Sequence, residues 1–153
     1  MFELFKIRKA RRMAHAAIDP FLIRDPGGAV TLQAGDWLQP QIIGFLATLV
    51  TLIAQRHCGP MRNHALAAVQ SDVLNAVTGI GPELIGEEIC LLSSRADPAF
   101  AVGARGAVDF VAALRPPGIL DEIDVAAAPV DGSLQRLWEE HVGQCLRRVP
   151  RQP

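Results

Sequence analysis

The sequence predicts an all-α fold: a single domain over residues 1–153, built as a compact bundle of about five main helices around a buried central helix. Three observations carry that prediction. The run Ile42 to Ala54 (IIGFLATLVTLIA) has no charged residue, and only Gly44, Thr48 and Thr51 interrupt its apolar character. A helix that is apolar on every side is a buried one. The segments around it repeat their apolar residues at helical spacing. A chain of this length also buries roughly 70% of the surface its unfolded form exposes, so no disulfide or metal staple is required.

The central segment is too short for a membrane span. Thirteen residues at about 1.5 Å each cover about 20 Å, against a hydrocarbon layer of ~30 Å. The β-branched Ile42, Ile43, Val50 and Ile53 would also suit a buried strand, but the length of the run and its Gln-bearing and Arg-bearing flanks favour helix. Pro40 fits the first helical turn, where a missing N–H costs nothing, and Gly59-Pro60 closes the far end. Asp36 is expected to cap this helix or sit in its first turn.

The N-terminal arm, residues 1–18, is basic and amphipathic. Leu4, Ile7, Ala14 and Ile18 fall near one side, with Phe2 and Phe5 beside them. Lys6, Arg8, Lys9, Arg11 and Arg12 form a cationic surface and are the expected partner-binding residues. Met1 to Arg24 holds six Lys or Arg against two acids, whereas Asp25 to Cys145 holds six Arg against fourteen acids. Such an arm packs on its own domain, meets an anionic membrane surface, or meets an acidic macromolecule. The acidic body argues against a broad nucleic-acid footprint. The expectation is that Ile7 to Ile18 docks while the first few residues stay mobile. Asp19-Pro20 and Asp25-Pro26-Gly27-Gly28 then predict an interruption of helix, with Phe21, Leu22 and Ile23 as an apolar plug and Ala29 to Leu32 as a short extended piece.

A second helix is expected from Met61 to Thr78, antiparallel to the central one, with Leu66, Val69, Val73 and Val77 in one stripe. Gly79-Ile80-Gly81-Pro82 ends it. A third runs from Glu83 to Ser94 with Leu84, Ile85, Ile89 and Leu92 inward. Asp97-Pro98 starts a fourth, to Leu114, in which Phe100, Val108, Val111 and Leu114 fill the core while Ala99, Gly103, Gly106 and Ala107 allow close approach. Residues 115–131 (RPPGILDEIDVAAAPVD) read as a Pro-rich acidic loop. The last helix, from near Asp131-Gly132-Ser133 to about Arg148, buries Leu134, Leu137, Trp138, Val142, Cys145 and Leu146.

Chemistry is thinly signalled. Three cysteines, an odd number at wide spacing, make no disulfide framework and suit a reducing compartment. No export signal precedes them, so the cytoplasm is the expected location, with peripheral membrane contact through the arm as a variant. Residues 56–64 (RHCGPMRNH) place His57, Cys58, Met61 and His64 close together, a donor set suited to zinc or copper. His141 and Cys145 lie four apart on a helix, at ligand spacing, and would complete a site if the two helices met. The competing reading has buried cysteines and solvated histidines. Cys58 as nucleophile would need His64 or His141 as base, and His64 as a phosphate acceptor lacks the usual acidic or Lys neighbours. Glu87-Glu88 and Glu139-Glu140 lack the Glu-x-x-His spacing of di-metal bundles, and no Gly-rich segment has the context of a phosphate loop. No catalytic residue and no cofactor is expected. The expected function is a non-enzymatic interaction or regulatory module that binds another macromolecule, a protein or a second copy of itself. The alternative is a small metal-binding or cysteine-dependent protein using the Arg56 to His64 turn.

Overall fold

A computed structural model describes residues 1–22, 33–114 and 132–148, and every regular element among them is helical. In order these are α1 (Phe2–Leu22), a 3-10 turn (Ala34–Trp37), α2 (Pro40–Cys58), α3 (Asn63–Thr78), α4 (Pro82–Ser94), α5 (Pro98–Ala113) and α6 (Gly132–Trp138). A π-helical turn (Glu139–Gly143) carries α6 into the short α7 (Gln144–Arg147). The expected pieces at Ile23 to Leu32 and at 115–131 lie outside the described residues.

Pro40 begins α2 as its first residue, and Gly59 ends it at a φ of 68°, with its N–H on the carbonyl of Gln55. Ile42 to Ala47 are all buried, as are Leu49, Val50, Ile53 and Ala54. The helix packs on α1, α3, α4, α5 and the π-helical turn. Asp36 does not cap it. Its carboxylate instead accepts the N–H of Gln33 at 2.9 Å inside the 3-10 turn, and Gln39 is the N-cap residue of α2.

The expected break at Asp19-Pro20 is absent, because α1 continues to Leu22 with Pro20 inside it. Ala10, Ala14, Ile18 and Phe21 follow one another at four, four and three residues, and all are buried. Only continued helix keeps Phe21 on that face, where its ring meets Phe110 at 5.4 Å and Trp138 at 5.2 Å. Proline in a final turn removes one hydrogen bond, and burial of a phenylalanine, worth about 1.5–3 kcal/mol, offsets the loss.

Short connections fix the neighbours of α2. Gln70 in α3 donates to Thr51 Oγ1 at 2.7 Å and to the carbonyl of Ala47 at 3.3 Å. Thr51 lies seven residues before the end of α2 and Gln70 seven residues into α3, so the two run antiparallel. Val69 and Val73 are buried as expected, with Leu66 and Val77 packed at the edge of the core. In α4, Ile85 and Leu92 point inward but Leu84 is exposed, and in α5 Val108 is exposed while Phe110 takes the buried position. Leu84 lies in the first turn of its helix, where the apolar stripe is left uncovered.

Two glycines let α2 and α5 cross in close backbone contact. A Cβ at Gly44 would sit 2.2 Å from the carbonyl oxygen of Phe100, and one at Gly103 would sit 2.0 Å from that of Gln41. Backbone against backbone leaves no room for a side chain. The N-terminus of α5 is held by Asp97, whose carboxylate accepts the Phe100 N–H at 3.0 Å.

Candidate interaction surface

From Ala10 onward α1 is anchored by its apolar stripe, but its first turn projects. Phe2, Leu4 and Phe5 are 82%, 65% and 69% exposed, whereas Ala10, Ala14 and Ile18 are fully buried. Ile7, half-buried, marks the transition. The helix is therefore docked beyond Ile7, as expected, and its leading turn forms regular helix with its large apolar groups in solvent.

The five basic residues of the arm divide by partner. Lys6 Nζ donates to the carbonyl of Pro60 at 3.1 Å, and Arg11 pairs with Asp72 on α3. Arg8 and Arg12 are exposed and have no ion-pair or hydrogen-bond partner among the described residues, and Lys9 is half-exposed. Glu3, the acid of the first turn, lies 3.8 Å from Arg62 and 3.7 Å from His64. A shallow groove of about 270 Å³ runs along this contact, lined by Phe2, Glu3, Lys6, Pro60, Met61 and Arg62. The end of α1 is thus apolar at its tip and cationic behind it, and its one acid lies beside Arg62 and His64.

The five residues expected as metal ligands fall into two groups at opposite ends of α2. His57 and Cys58 end that helix, and His64 lies just beyond, exposed beside Glu3. His141 and Cys145 sit at its other end, where Gln41 Nε2 is 3.1 Å from His141 Nδ1 and Gln39 Nε2 donates to the Cys145 carbonyl at 2.9 Å. From Gln41 to Cys58 the helix rises about 25 Å, so the two groups do not converge. Among the described residues no three His, Cys, Asp or Glu side chains gather as a metal site.

Cys90 is exposed, Cys58 is half-buried and Cys145 is buried. Cys58 Sγ donates to the Lys6 carbonyl at 3.5 Å, and burial pushes its pKa above 9.0, against the opposing charges of Lys9 and Lys6. Burial does the same to Cys145, with Arg148 opposing. A thiol held protonated is a poor nucleophile and a poor ligand.

Sequence reading missed the setting of His141, which is buried rather than solvated. Its ring stacks on Phe45 at 5.4 Å, and a Cβ at Gly106 would lie 2.2 Å from Nε2. The Gln41 amide donates to Nδ1, which leaves the proton of the neutral ring on Nε2. The one signal in the sequence was Gly106, an otherwise costly glycine in a helix interior. No helix among the described residues is long and apolar enough to cross a membrane. No protein-family model, curated protein or solved structure shows a significant match to this chain.

Proposed function

We propose that the protein is a non-enzymatic helical interaction module, a bundle built around α2 that holds α1 rigidly and presents its first turn to another macromolecule. The observation that carries this reading is the exposure of Phe2, Leu4 and Phe5 on a helix whose later apolar stripe, Ala10, Ala14 and Ile18, is fully buried. Large apolar groups clustered in solvent mark interaction sites more often than scattered single ones do. The free thiols of Cys58, Cys90 and Cys145 suit action in a reducing compartment such as the cytoplasm.

The test is a Phe2→Ser, Leu4→Ser, Phe5→Ser triple variant compared with the parent by thermal melting and by cross-linking in cells. Side chains already in solvent contribute little to stability, so the melting temperature should hold while cross-links from residues 1–12 to another macromolecule disappear. A large drop in melting temperature, or cross-links that persist unchanged, would overturn the reading.

A further inference from the structure

Resting on that reading, we propose that the macromolecule is a bilayer bearing anionic phospholipid headgroups. The first turn of α1 enters its interface, and Arg8 and Arg12 meet the phosphates.

The shape of the tip favours a fluid partner. At about 100° per residue, Phe2, Leu4 and Phe5 point to about 100°, 300° and 40° around the helix axis, measured from Met1. Only the direction of Glu3, near 200°, is not apolar, and that carboxylate is held beside Arg62 and His64. The tip is therefore convex and apolar around most of its circumference. A rigid protein face would need a matching cavity to cover it, whereas lipid closes around a protruding group.

Depth and charge agree with shape. Arg8 lies about 4.5 Å and Arg12 about 10 Å along the axis from Phe5. Interfacial helices bury their apolar groups about 5–10 Å into the headgroup and acyl boundary, so guanidinium groups at these heights reach the phosphate layer. Both arginines are exposed and on the same side as Leu4 and Phe5. Anionic lipid attracts such a pair of cations. Since no described helix can span a bilayer, the attachment is peripheral.

The experiment is vesicle flotation of the whole chain, tagged at its C-terminal end, on phosphatidylcholine with and without phosphatidylserine. The parent should float with the mixed vesicles, fail to float with phosphatidylcholine alone, and be released by high salt. The Phe2→Ser, Leu4→Ser, Phe5→Ser variant and an Arg8→Gln, Arg12→Gln variant should each partition about tenfold less or weaker still, while melting like the parent. A parent that does not float with anionic vesicles, or variants that float equally well, would overturn the lipid assignment. If lipid binding is absent but the apolar variant loses a self-association seen by light scattering, or a cross-linked protein, the interaction reading stands with a different partner. If neither lipid nor protein contact depends on these residues, both inferences fall.

Discussion

The imidazole of His141 lies nearly parallel to the ring of Phe45, with 8° between the planes and 5.4 Å between the centroids. Three neighbours fix it there: the aromatic face of Phe45, the amide of Gln41 on Nδ1, and the backbone of Gly106 against Nε2. Burial is the main influence on its protonation and holds its pKa below the ordinary 6.5, while the carboxylates of Glu140 and Asp109 oppose that shift. From α2 the groups that face it, Gln41 and Phe45, do not titrate.

A pH dependence of stability follows. The folded protein binds the His141 proton less readily than the unfolded chain, so in the titration window stability rises with pH. The contribution is complete above about 6.5, the unfolded value, and is lost as pH falls through the lower folded value. The parent should melt at a lower temperature at pH 5 than at pH 7, and His141→Gln should flatten that difference while lowering the melting point at pH 7. Melting curves of the two proteins with equal pH dependence would show that His141 does not carry it.

How much of this was legible in the sequence depended on whether one element sufficed. The charge-free run from Ile42 to Ala54 announces a largely buried helix, and Asp97-Pro98 announces a helix start, because both signals are local. Gly103 could be read as a close-approach residue, but its partner Gly44 could not be paired with it, since the crossing of α2 and α5 is a tertiary fact. Pro20 misled for the converse reason. Its local preference ends a helix, and the burial of Phe21 between Phe110 and Trp138 overrides it. His141 looked like a solvated histidine because nothing near it in the chain names Phe45 or Gln41. The leading turn of α1 was the harder case: periodicity placed Leu4 with Ile7, yet among the described residues no neighbouring element covers Leu4.

The α4 to α5 junction contains a strained residue. Ala96 has a φ of 49°, the left-handed region, at the position following the last helical residues of α4. The Asp97 N–H reaches the Leu92 carbonyl at 3.1 Å and the Ala96 N–H that of Ser93 at 3.2 Å, a helix end at which glycine is the usual occupant. A left-handed alanine costs about 1–2 kcal/mol, part of which glycine returns through its looser unfolded chain. Ala96→Gly should therefore raise stability by up to about 1 kcal/mol, read as a higher urea midpoint with an unchanged slope. A lower midpoint would mean that the turn carries no strain.

The glycine crossing makes a sharper prediction. Gly103→Ala and Gly44→Ala each place a methyl group inside the opposing backbone, so α2 and α5 must separate and leave packing defects along their length. A cost of about 1–3 kcal/mol is expected for each, or roughly 3–10 °C in melting temperature. The double variant should lose less than the sum, because the helices need to separate only once. Gly86→Ala, in α4 with nothing within 4 Å of the new methyl, is the control and should be neutral or stabilising by about 0.5–1 kcal/mol. If Gly103→Ala melts like Gly86→Ala, the helices are not in contact at that point.

Two forces could hold α1 to the body, and their magnitudes separate them. The Arg11–Asp72 pair lies at the surface, with side chains 42% and 40% exposed, and an ion pair so accessible to solvent contributes at most about 1 kcal/mol. Arg11 Nε is itself buried without a hydrogen-bond partner, which offsets some of that gain. Ile18 is fully buried and Phe21 nearly so, and truncation at such sites costs about 2–5 kcal/mol. Arg11→Met, which keeps the alkyl stem and removes both the charge and the unpartnered nitrogen, should therefore change stability by less than about 1 kcal/mol, whereas Ile18→Ala and Phe21→Ala should each lower the melting temperature by roughly 5–15 °C. High salt should leave the parent's melting temperature nearly unchanged, because burial rather than charge fixes the helix. An Arg11→Met variant as damaged as Ile18→Ala would reverse the assignment and make the cationic face of α1 a structural element, with fewer charges left to meet a partner.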